Sequence, residues 1–319
     1  MFIAVDAGGT STRAVAVDRA GHVHGYGRAA GGNPTSAGIP AAVTAIGAAA
    51  EQTVAGLPPG DVEAVGIAMA GEKTDAFSTQ LSECLDRLGP GRVVLQPDLL
   101  AMFHSGTHRL DGYGLISGTG SIAAQIRDGR LHRVVGGRGW LLGDAGSGFW
   151  IGHRVARAVV SALDGQGPPT TLTSLVLTAL GIDDAGSGAV LPRVVSALYA
   201  RRPVQLSEFA PLAFAAPEDP VARAILDDAA AALAHLLATV HEPWLAGPVV
   251  VGGSVMIRGF LAGPHDLRDR LGLPDDVVPV DDGVVGSAVL ALREAGVVVD
   301  EDVFERVRGG VARVTGPSA

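Results

Sequence analysis

Two stretches of the chain repeat one order of apolar and polar positions. In the first, the apolar run Phe2–Val5 ends at Asp6, a bend rich in glycine and hydroxyl residues follows, and alternation resumes at Ala14–Val17. In the second, the runs Tyr113–Ser117 and Ser121–Arg127 flank a bend of similar composition. Apolar residues alternating with a period of two predict strands, and glycines between two such runs predict a hairpin. The chain is therefore predicted to be duplicated, each half beginning with a glycine–threonine hairpin.

Apolar residues at helical spacing predict a helix at Pro220–Val240, with Pro220 at the first helical position and Asp219 as its cap. Other predicted helices are Pro40–Leu57, a segment containing Phe77–Leu88, Leu99 towards Ser105, Gly148–Leu163 and Gly283–Ala295. Other predicted strands are His22–Arg28, Val62–Ala70, Val93–Leu95, Leu131–Val135, Val249–Val251 and Val277–Val280. The composition changes near Gly106–Gly112, which divides the chain into predicted domains at 1–112 and 113–319. The charged tail after Val299 is assigned no element.

The composition narrows the classes of protein. Hydrophobic residues make up 47% of the 319 residues and charged residues 18%, which permits a large core and argues against global disorder. The net charge of −9, with no evident basic patch, argues against a nucleic-acid partner but not against a nucleotide ligand. Cys84 is the only cysteine, so one chain has no internal disulfide, cysteine-only zinc site or iron–sulfur cluster. With no signal pattern and no membrane-length apolar stretch, we expect a cytoplasmic protein without a membrane partner.

Three bends in the chain have the composition of a nucleotide site. Glycine lets the backbone approach a ligand, and free N–H and hydroxyl groups can hold phosphate oxygens. The residues concerned are Gly8, Gly9, Thr10, Ser11 and Thr12 in the first bend, Gly118, Thr119 and Gly120 in the second, and Gly252, Gly253 and Ser254 in the third. The third bend follows an apolar strand, and its glycines would leave room for a flat base or a ribose. Asp6, at a strand end, could hold magnesium directly or through water.

These motifs resemble those of the sugar kinase, Hsp70 and actin superfamily. Within it, the chain is similar to the N-acetylglucosamine kinase and BadF/BadG/BcrA/BcrD ATPase family over about residues 1–295. The resemblance is carried by Asp6–Thr12, Gly118–Ser121, Val251–Ser254 and, most specifically, Gly136–Gly152. It implies an α/β protein of two ribonuclease-H-like (actin-like ATPase) domains, with ATP in the cleft between them. It also implies a homodimer.

The resemblance assigns roles to several further residues. From the residues alone, Asp98 before a helix is more readily a helix cap than a base; the family places its catalytic aspartate in the stretch matching Asp98–Ala101. Asn33 in a Gly-Gly-Asn-Pro loop suits either turn chemistry or a sugar contact, and the resemblance favours the sugar. Gly139, Trp140 and Asp144 are implied at the sugar pocket, although a turn aspartate and a core tryptophan are equally compatible with the sequence.

Two positions depart from the family pattern near the expected sugar site. Arg138 stands where a tryptophan is common, and Ala145 replaces a glutamate. These departures leave the identity of the sugar open. His104 and His108 lie four residues apart without a third ligand, and we interpret them as surface or loop histidines rather than a metal site.

The leading hypothesis is an ATP-dependent sugar kinase that phosphorylates the 6-hydroxyl of an amino sugar, most readily N-acetylglucosamine, with Mg2+ near Asp6 and Asp98 as the base. An activator ATPase of the BadF/BcrA type would need cysteines for an iron–sulfur cluster, and only Cys84 is present. A non-catalytic or regulatory actin-like ATPase would keep the phosphate motifs without needing a sugar loop. The zinc-containing repressor and glucokinase family is disfavoured because its cysteine cluster is missing.

Overall fold

The computed structural model describes residues 1–56, 62–71, 74–89, 91–183, 190–263 and 265–316. The chain divides into two compact units. Unit 1 comprises Met1–Leu110, the turn Asp128–Arg130 and the chain from Asp282 onward, and unit 2 comprises Asp111–Arg127 and Leu131–Asp281. Each unit has one five-stranded sheet with helices, so the predicted α/β class and duplication are confirmed.

The elements are numbered in chain order. The strands are β1 (Phe2–Ala7), β2 (Ser11–Val17), β3 (Val23–Ala30), β4 (Ala64–Met69), β5 (Val93–Pro97), β6 (Gly112–Ser117), β7 (Ser121–Arg127), β8 (Arg130–Gly136), β9 (Val249–Gly252) and β10 (Val278–Val280). The helices are α1 (Pro34–Ala37), α2 (Ile39–Thr53), α3 (Asp75–Leu85), α4 (Asp98–Gly106), α5 (Gly148–Leu163), α6 (Leu172–Leu180), α7 (Val190–Tyr199), α8 (Ala210–Phe214), α9 (Pro220–Val240), α10 (His265–Arg270), α11 (Val284–Glu294) and α12 (Glu301–Thr315). Short 3-10 helices cover Asp86–Leu88 and Pro203–Phe209, and a π-helix covers Val255–Leu261.

The sheet of unit 1 has the order β3-β2-β1-β4-β5. β1 pairs antiparallel with β2 and parallel with β4. Successive side chains of a strand point to opposite faces, and accordingly Ile3 and Val5 join one buried cluster with α2 and α3, while Phe2 and Ala4 join another with α11 and α12. Both faces of β1 are therefore covered, which places its carboxyl end, and Asp6, at a fixed edge of the sheet.

The C-terminal segment differs from the prediction. The predicted second domain runs to residue 319, whereas the chain from Asp282 belongs to unit 1, because α11 packs against α4 and β1. The two helices approach closely at Gly286, whose N–H donates to Ser105 Oγ over 2.8 Å. The tail that was assigned no element forms α12 and buries Phe304 and Val307 in the core of unit 1.

The sheet of unit 2 repeats the connectivity of unit 1, with the order β10-β9-β6-β7-β8. β6 pairs antiparallel with β7 and parallel with β9. Tyr113 and Leu115 of β6 pack in one cluster with residues of α5, α6 and α9. The predicted bounds of α9 are confirmed, and Asp219 caps it by accepting from the N–H groups of Val221 and Ala222.

Two further observations complete the fold. α2 ends at Thr53, earlier than predicted, and the predicted end at Leu57 lies outside the described residues. None of the helices in the described ranges combines the length and apolarity needed to cross a bilayer.

Candidate active site

The first glycine bend joins β1 to β2 in unit 1. Thr10 at its tip is exposed, and the N–H groups of Gly9 and Thr10 donate to no group among the described residues. Successive free N–H groups in a turn form a concave donor surface that suits an anion. Gly8 and Gly9 do not adopt positive φ, so a left-handed backbone is not the reason for glycine at these positions. Gly8 is instead packed tightly, since a Cβ there would lie 3.0 Å from the Ser11 carbonyl oxygen.

The two hydroxyl residues that follow this bend have different surroundings. Thr12 is fully buried in β2, and its hydroxyl donates to the Ala30 carbonyl over 2.8 Å. That bond leaves Thr12 no O–H to offer a phosphate. Ser11 is partly buried and its hydroxyl has no partner among the described residues, so it remains available as a donor.

The second bend joins β6 to β7 in unit 2. The carbonyl groups of Gly118 and Thr119 accept from the N–H groups of Gly148 (2.7 Å) and Phe149 (3.2 Å), at the start of α5. Within the described ranges, the N–H groups of Thr119 and Gly120 donate to no protein group. The carbonyl groups thus hold the second bend in place. Its N–H groups remain free for a ligand, as do those of Gly9 and Thr10 in the first bend.

Asp144 lies against this second bend. Its side chain is only 8% exposed, and its Oδ2 lies next to Gly120. Burial raises the pKa of Asp144, and the backbone N–H groups of Ser121 and Gly139 oppose the rise. Its Oδ1 atom has no hydrogen-bond partner among the described residues. A buried acceptor without a partner costs free energy, so Oδ1 fits a ligand that brings a donor.

A side chain at position 120 would press on Asp144. A Cβ on Gly120 would lie 2.9 Å from Asp144 Oδ2. The segment after Asp144 is bonded to the same two strands. Ser117 Oγ donates to the Gly146 carbonyl (2.9 Å), and Ser121 Oγ donates to the Ala145 carbonyl (2.8 Å). The sequence motifs Gly118–Ser121 and Asp144–Ser147 are therefore one structural site.

The third bend crosses the end of β6 and opens onto a pocket. Gly252 pairs with Ile116 in the sheet, and Gly253 has a φ of +93°, with the Ser117 carbonyl 2.4 Å from where a Cβ would stand. Both the left-handed backbone and the close approach require glycine there. The exposed Ser254 follows, and its backbone nitrogen lies beside Gly118.

The pocket beside Gly118 and Ser254 lies wholly within unit 2 and has a volume of about 570 Å3. Its walls come from the start of α5, from α8 and from the π-helix, with Pro211, Phe214 and Val255 among its apolar side chains. Phe214 is held edge-to-face by Phe260, with ring centroids 5.2 Å apart. This is the kind of concave, mainly apolar site, with a few polar groups at one end, that receives small molecules.

In unit 1, several carboxylates lie near one another at one edge of the sheet. Asp6 Oδ2 accepts from the N–H of Gly283 over 2.9 Å, and the neighbouring Asp282 forms an ion pair with Arg13 (3.3 Å). Burial raises the pKa of Asp6 to about 7, and the charges of Asp282 and Asp98 act in the same direction. Carboxylates therefore outnumber cations at this edge of the sheet.

Asp98 is the first residue of α4, directly after β5. Its Oδ1 accepts from the N–H of Leu99 over 2.7 Å. The Asp98 side chain accepts from neither Leu100 N–H nor Ala101 N–H, so it does not act as an ordinary helix cap. Burial raises the pKa of Asp98. A partly buried carboxylate with a raised pKa is suited to accept a proton.

The described residues contain no cluster of three or more His, Cys, Asp or Glu side chains that could hold a metal. Mg2+, however, is commonly held by one or two carboxylates together with phosphate oxygens and water. Asp6 and Asp282, in a region of excess negative charge, fit that mode of binding.

The sugar-side candidates are placed as follows. Asn33 is buried and uses its amide within unit 1, accepting from Thr35 N–H (2.9 Å) and donating to the Ala70 carbonyl (3.1 Å). One N–H and one lone pair of the amide remain for a ligand. In unit 2, Trp140 is 41% exposed and packs on Phe149, with ring centroids 5.4 Å apart. Gly139, with a φ of +81°, turns the chain before it.

The interpretation of His104 as a surface or loop residue is wrong. His104 is fully buried in α4. Burial and the neighbouring Arg293 lower its pKa to about 3. It is a neutral residue of the core, packed against Phe103 with ring centroids 5.0 Å apart.

The sequence pattern of the BadF/BadG/BcrA/BcrD ATPase family matches residues 3–266. The chain belongs to this family. The resemblance inferred from the four motifs is thereby confirmed, and the two units with repeated sheets are its fold.

Two relatives and one solved structure match this chain over more than nine-tenths of its length. An N-acetyl-D-glucosamine kinase of Dictyostelium discoideum is 31% identical over 317 residues, covering 92% of this chain and 98% of the relative. A glucosamine kinase of Vibrio cholerae is 28% identical and covers 91% and 95%. The solved structure of a candidate N-acetylglucosamine kinase from Chromobacterium violaceum is similar with a TM-score of 0.72 and 27% identity, covering 91% of this chain and 98% of that one.

Sequence reasoning missed three residues at these sites. Asp282 lies just after the short strand β10, as Asp6 lies at the end of β1, but it stands far along the chain. Phe214 and Arg258 line the pocket of unit 2, and no local pattern marks them. Only the packing of α8 against the π-helix places both at one pocket.

Proposed function

We propose that this chain is an ATP-dependent kinase that transfers the γ-phosphoryl group to the 6-hydroxyl of an amino sugar, with N-acetylglucosamine as the expected substrate. The observation that carries the proposal is the second bend, whose free N–H groups lie beside a 570 Å3 pocket lined by Thr119 and Ser254. A base-sized apolar pocket next to an anion-binding turn suits a nucleotide. The names of the two curated relatives support an amino sugar as the acceptor.

The proposed roles of the bends follow from their donors. The purine and ribose occupy the pocket beside Gly252, Gly253 and Ser254. The phosphates accept from the N–H groups of Thr119 and Gly120 in unit 2, and from those of Gly9 and Thr10 in unit 1. Such preorganised donors stabilise the charge that spreads over the transferred group in the transition state.

Asp98 is the proposed general base. The 6-hydroxyl oxygen of the sugar attacks the γ-phosphorus, the bond from that phosphorus to the β–γ bridging oxygen breaks, and ADP leaves. The hydroxyl proton passes to the Asp98 carboxylate. Its raised pKa makes this carboxylate a stronger proton acceptor than an exposed aspartate.

The remaining proposed contacts orient the two substrates. Asp6 and Asp282 would hold Mg2+, which would supply neutralising charge for the phosphates. Asp144 Oδ1, the buried acceptor without a partner, accepts from a sugar hydroxyl. Asn33 offers its remaining N–H and lone pair to the sugar, and Trp140 with Gly139 provides an apolar wall for one face of the ring.

We also propose that the chain is a cytoplasmic homodimer. This part rests on the family resemblance and on the reducing environment suggested by a lone cysteine. Light scattering on the purified chain measures its mass directly, and a monomeric mass at micromolar concentration would contradict the dimer.

A coupled ADP-release assay tests the activity. Glucose, glucosamine, N-acetylglucosamine and N-acetylmannosamine are offered in turn with MgATP, and Asp98→Asn serves as the control variant. We expect the fastest release with N-acetylglucosamine and mass spectrometry to identify its 6-phosphate. Equal ATP turnover with and without every sugar would reject the kinase in favour of a non-catalytic or regulatory ATPase.

A further inference from the structure

The nucleotide-sized pocket of unit 2 contains one charged residue. Of the twelve residues that line it, Arg258 alone carries a formal charge. Arg258 is exposed, and its guanidinium forms no ion pair or hydrogen bond with any residue in the described part of the chain. An arginine without a protein partner among the described residues, at an otherwise uncharged wall, is available to a ligand.

The position of Arg258 along the π-helix separates it from the phosphate-binding turn. Ser254, just before that helix, has its backbone nitrogen beside Gly118 of the second bend. Arg258 lies four residues further along the π-helix, which is close to one turn of that helix. The pocket therefore has a turn with free N–H groups at one end and Arg258 one helical turn away from it.

The wall next to Arg258 is aromatic and closely packed. The ring of Phe214 lies against the backbone of Gly259, where a Cβ would stand only 2.5 Å from the Phe214 Cζ atom. Phe214 and Arg258 both line the pocket. A flat ring bound there would meet an apolar surface and a planar cation, and guanidinium planes stack well on aromatic faces.

We propose that Arg258 binds the base of the nucleotide by stacking its guanidinium on the purine ring. This inference rests on the proposed function, since it assumes that the pocket receives ATP. Stacking depends on ring area, so the site prefers purine to pyrimidine nucleotides. Because Arg258 acts on the base and not on the phosphates, its removal weakens binding without slowing the transfer step.

Binding of ATP to the full-length protein, measured by calorimetry in the presence of Mg2+ and without sugar, tests the inference. We expect Arg258→Ala to weaken ATP binding about tenfold, as for a partly desolvated cation–π contact. Inorganic tripolyphosphate should bind the variant as it binds the wild type. Arg258→Lys should resemble Arg258→Ala, since lysine keeps the charge but has no planar face. Arg157→Ala, an exposed arginine of α5 outside this pocket, is the matched control.

Two other results would contradict the inference. Equal ATP affinity of Arg258→Ala and the wild type removes Arg258 from the site. Full rescue by lysine, or an equal loss of tripolyphosphate binding, shows a phosphate contact instead. If the alanine variant does not fold, Arg258→Gln keeps the stem of the side chain and serves in its place.

The kinetics separate this inference from the proposed function. If the wild type phosphorylates an amino sugar, Arg258→Ala should raise the KM for ATP and leave kcat and the KM for the sugar unchanged. A wild type that binds ATP through Arg258 but phosphorylates no sugar would reject the kinase alone. Sugar phosphorylation with no effect of Arg258 on ATP binding would reject this inference alone.

Discussion

Units 1 and 2 have sheets of the same connectivity and bends of similar composition, yet the chemistry next to the bends is different. In unit 1 the bend follows Asp6, whose pKa is raised to about 7 by burial and further by the charges of Asp282 and Asp98. In unit 2 the bend adjoins a 570 Å3 pocket, and the carboxylate of Asp144 lies against the bend. The same sheet connectivity therefore carries a cluster of carboxylates in one unit, proposed for proton transfer and Mg2+, and a pocket in the other, proposed for the base.

The largest expected effect comes from removing the proposed base of unit 1. Asp98→Asn should lower kcat by about 10²–10⁴-fold, the usual contribution of a general base. The ATP affinity should stay within about twofold, because Asp98 does not belong to the pocket of unit 2. Steady-state kinetics and calorimetry on the same preparation check both parts, and near-normal turnover would remove Asp98 from its role.

The pH dependence of turnover sharpens the same assignment. Asp98 must be ionised to accept a proton, and burial raises its pKa. As the pH falls through that raised pKa, the carboxylate is protonated and kcat/KM for the sugar declines. The acidic limb should therefore lie above the ordinary aspartate pKa of 3.8, and the residual activity of Asp98→Asn should lack it.

The next effect tests whether unit 2 also contacts the sugar. Asp144→Asn should raise the KM for the sugar about tenfold or more, because a hydrogen bond to a charged acceptor is lost. Asparagine tolerates the positive φ of +60° at this position, so the fold should be kept. Asp128→Asn, at the other described non-glycine residue with positive φ, is the control. A changed KM for ATP with an unchanged KM for the sugar would assign Asp144 to the nucleotide.

The membership of α11 in unit 1 predicts a change in stability. A Cβ on Gly286 would stand 1.7 Å from the Ala101 carbonyl oxygen, so Gly286→Ala should force α11 and α4 apart and lower the free energy of unfolding by about 1–3 kcal/mol. Gly309→Ala in α12 meets no neighbour within 4 Å and should stabilise by about 0.5–1 kcal/mol through helix propensity. Chemical denaturation measures both, and equal effects would contradict the close approach.

The smallest effect concerns the pocket wall. In Gly259→Ala the new methyl group would collide with the Phe214 ring, which lines the pocket and would have to shift. We expect ATP binding to weaken several-fold, by roughly 1 kcal/mol, with kcat unchanged. Together with Asp98→Asn, this variant separates the two units, since one loses turnover and the other loses nucleotide affinity. Loss of kcat in Gly259→Ala would break that separation.

The sequence was informative wherever a signal is local. The alternation around the two glycine bends predicted both hairpins, and Asp219–Pro220 marked the start of α9. The bend motifs also identified the family. These features depend on residues a few positions apart, whose backbone preferences and capping bonds do not need the rest of the chain.

Other features could not be read from neighbouring residues. The burial of Thr12 and His104, the pairing of Asp282 with Arg13, and the wall formed by Phe214 all join residues that are distant in the chain. The charged composition of the tail concealed α12, because only its packing in unit 1 shows which of its residues form an apolar face.

Local pattern was thus sufficient for the strands, the glycine bends and the family to which they belong. Packing between segments that are distant in the chain decided which carboxylates are desolvated. It also decided which of the two bends adjoins the pocket. The physical reason is that hydrogen-bonding preferences act over a few residues, whereas desolvation and charge–charge interactions depend on what folding brings within a few ångströms.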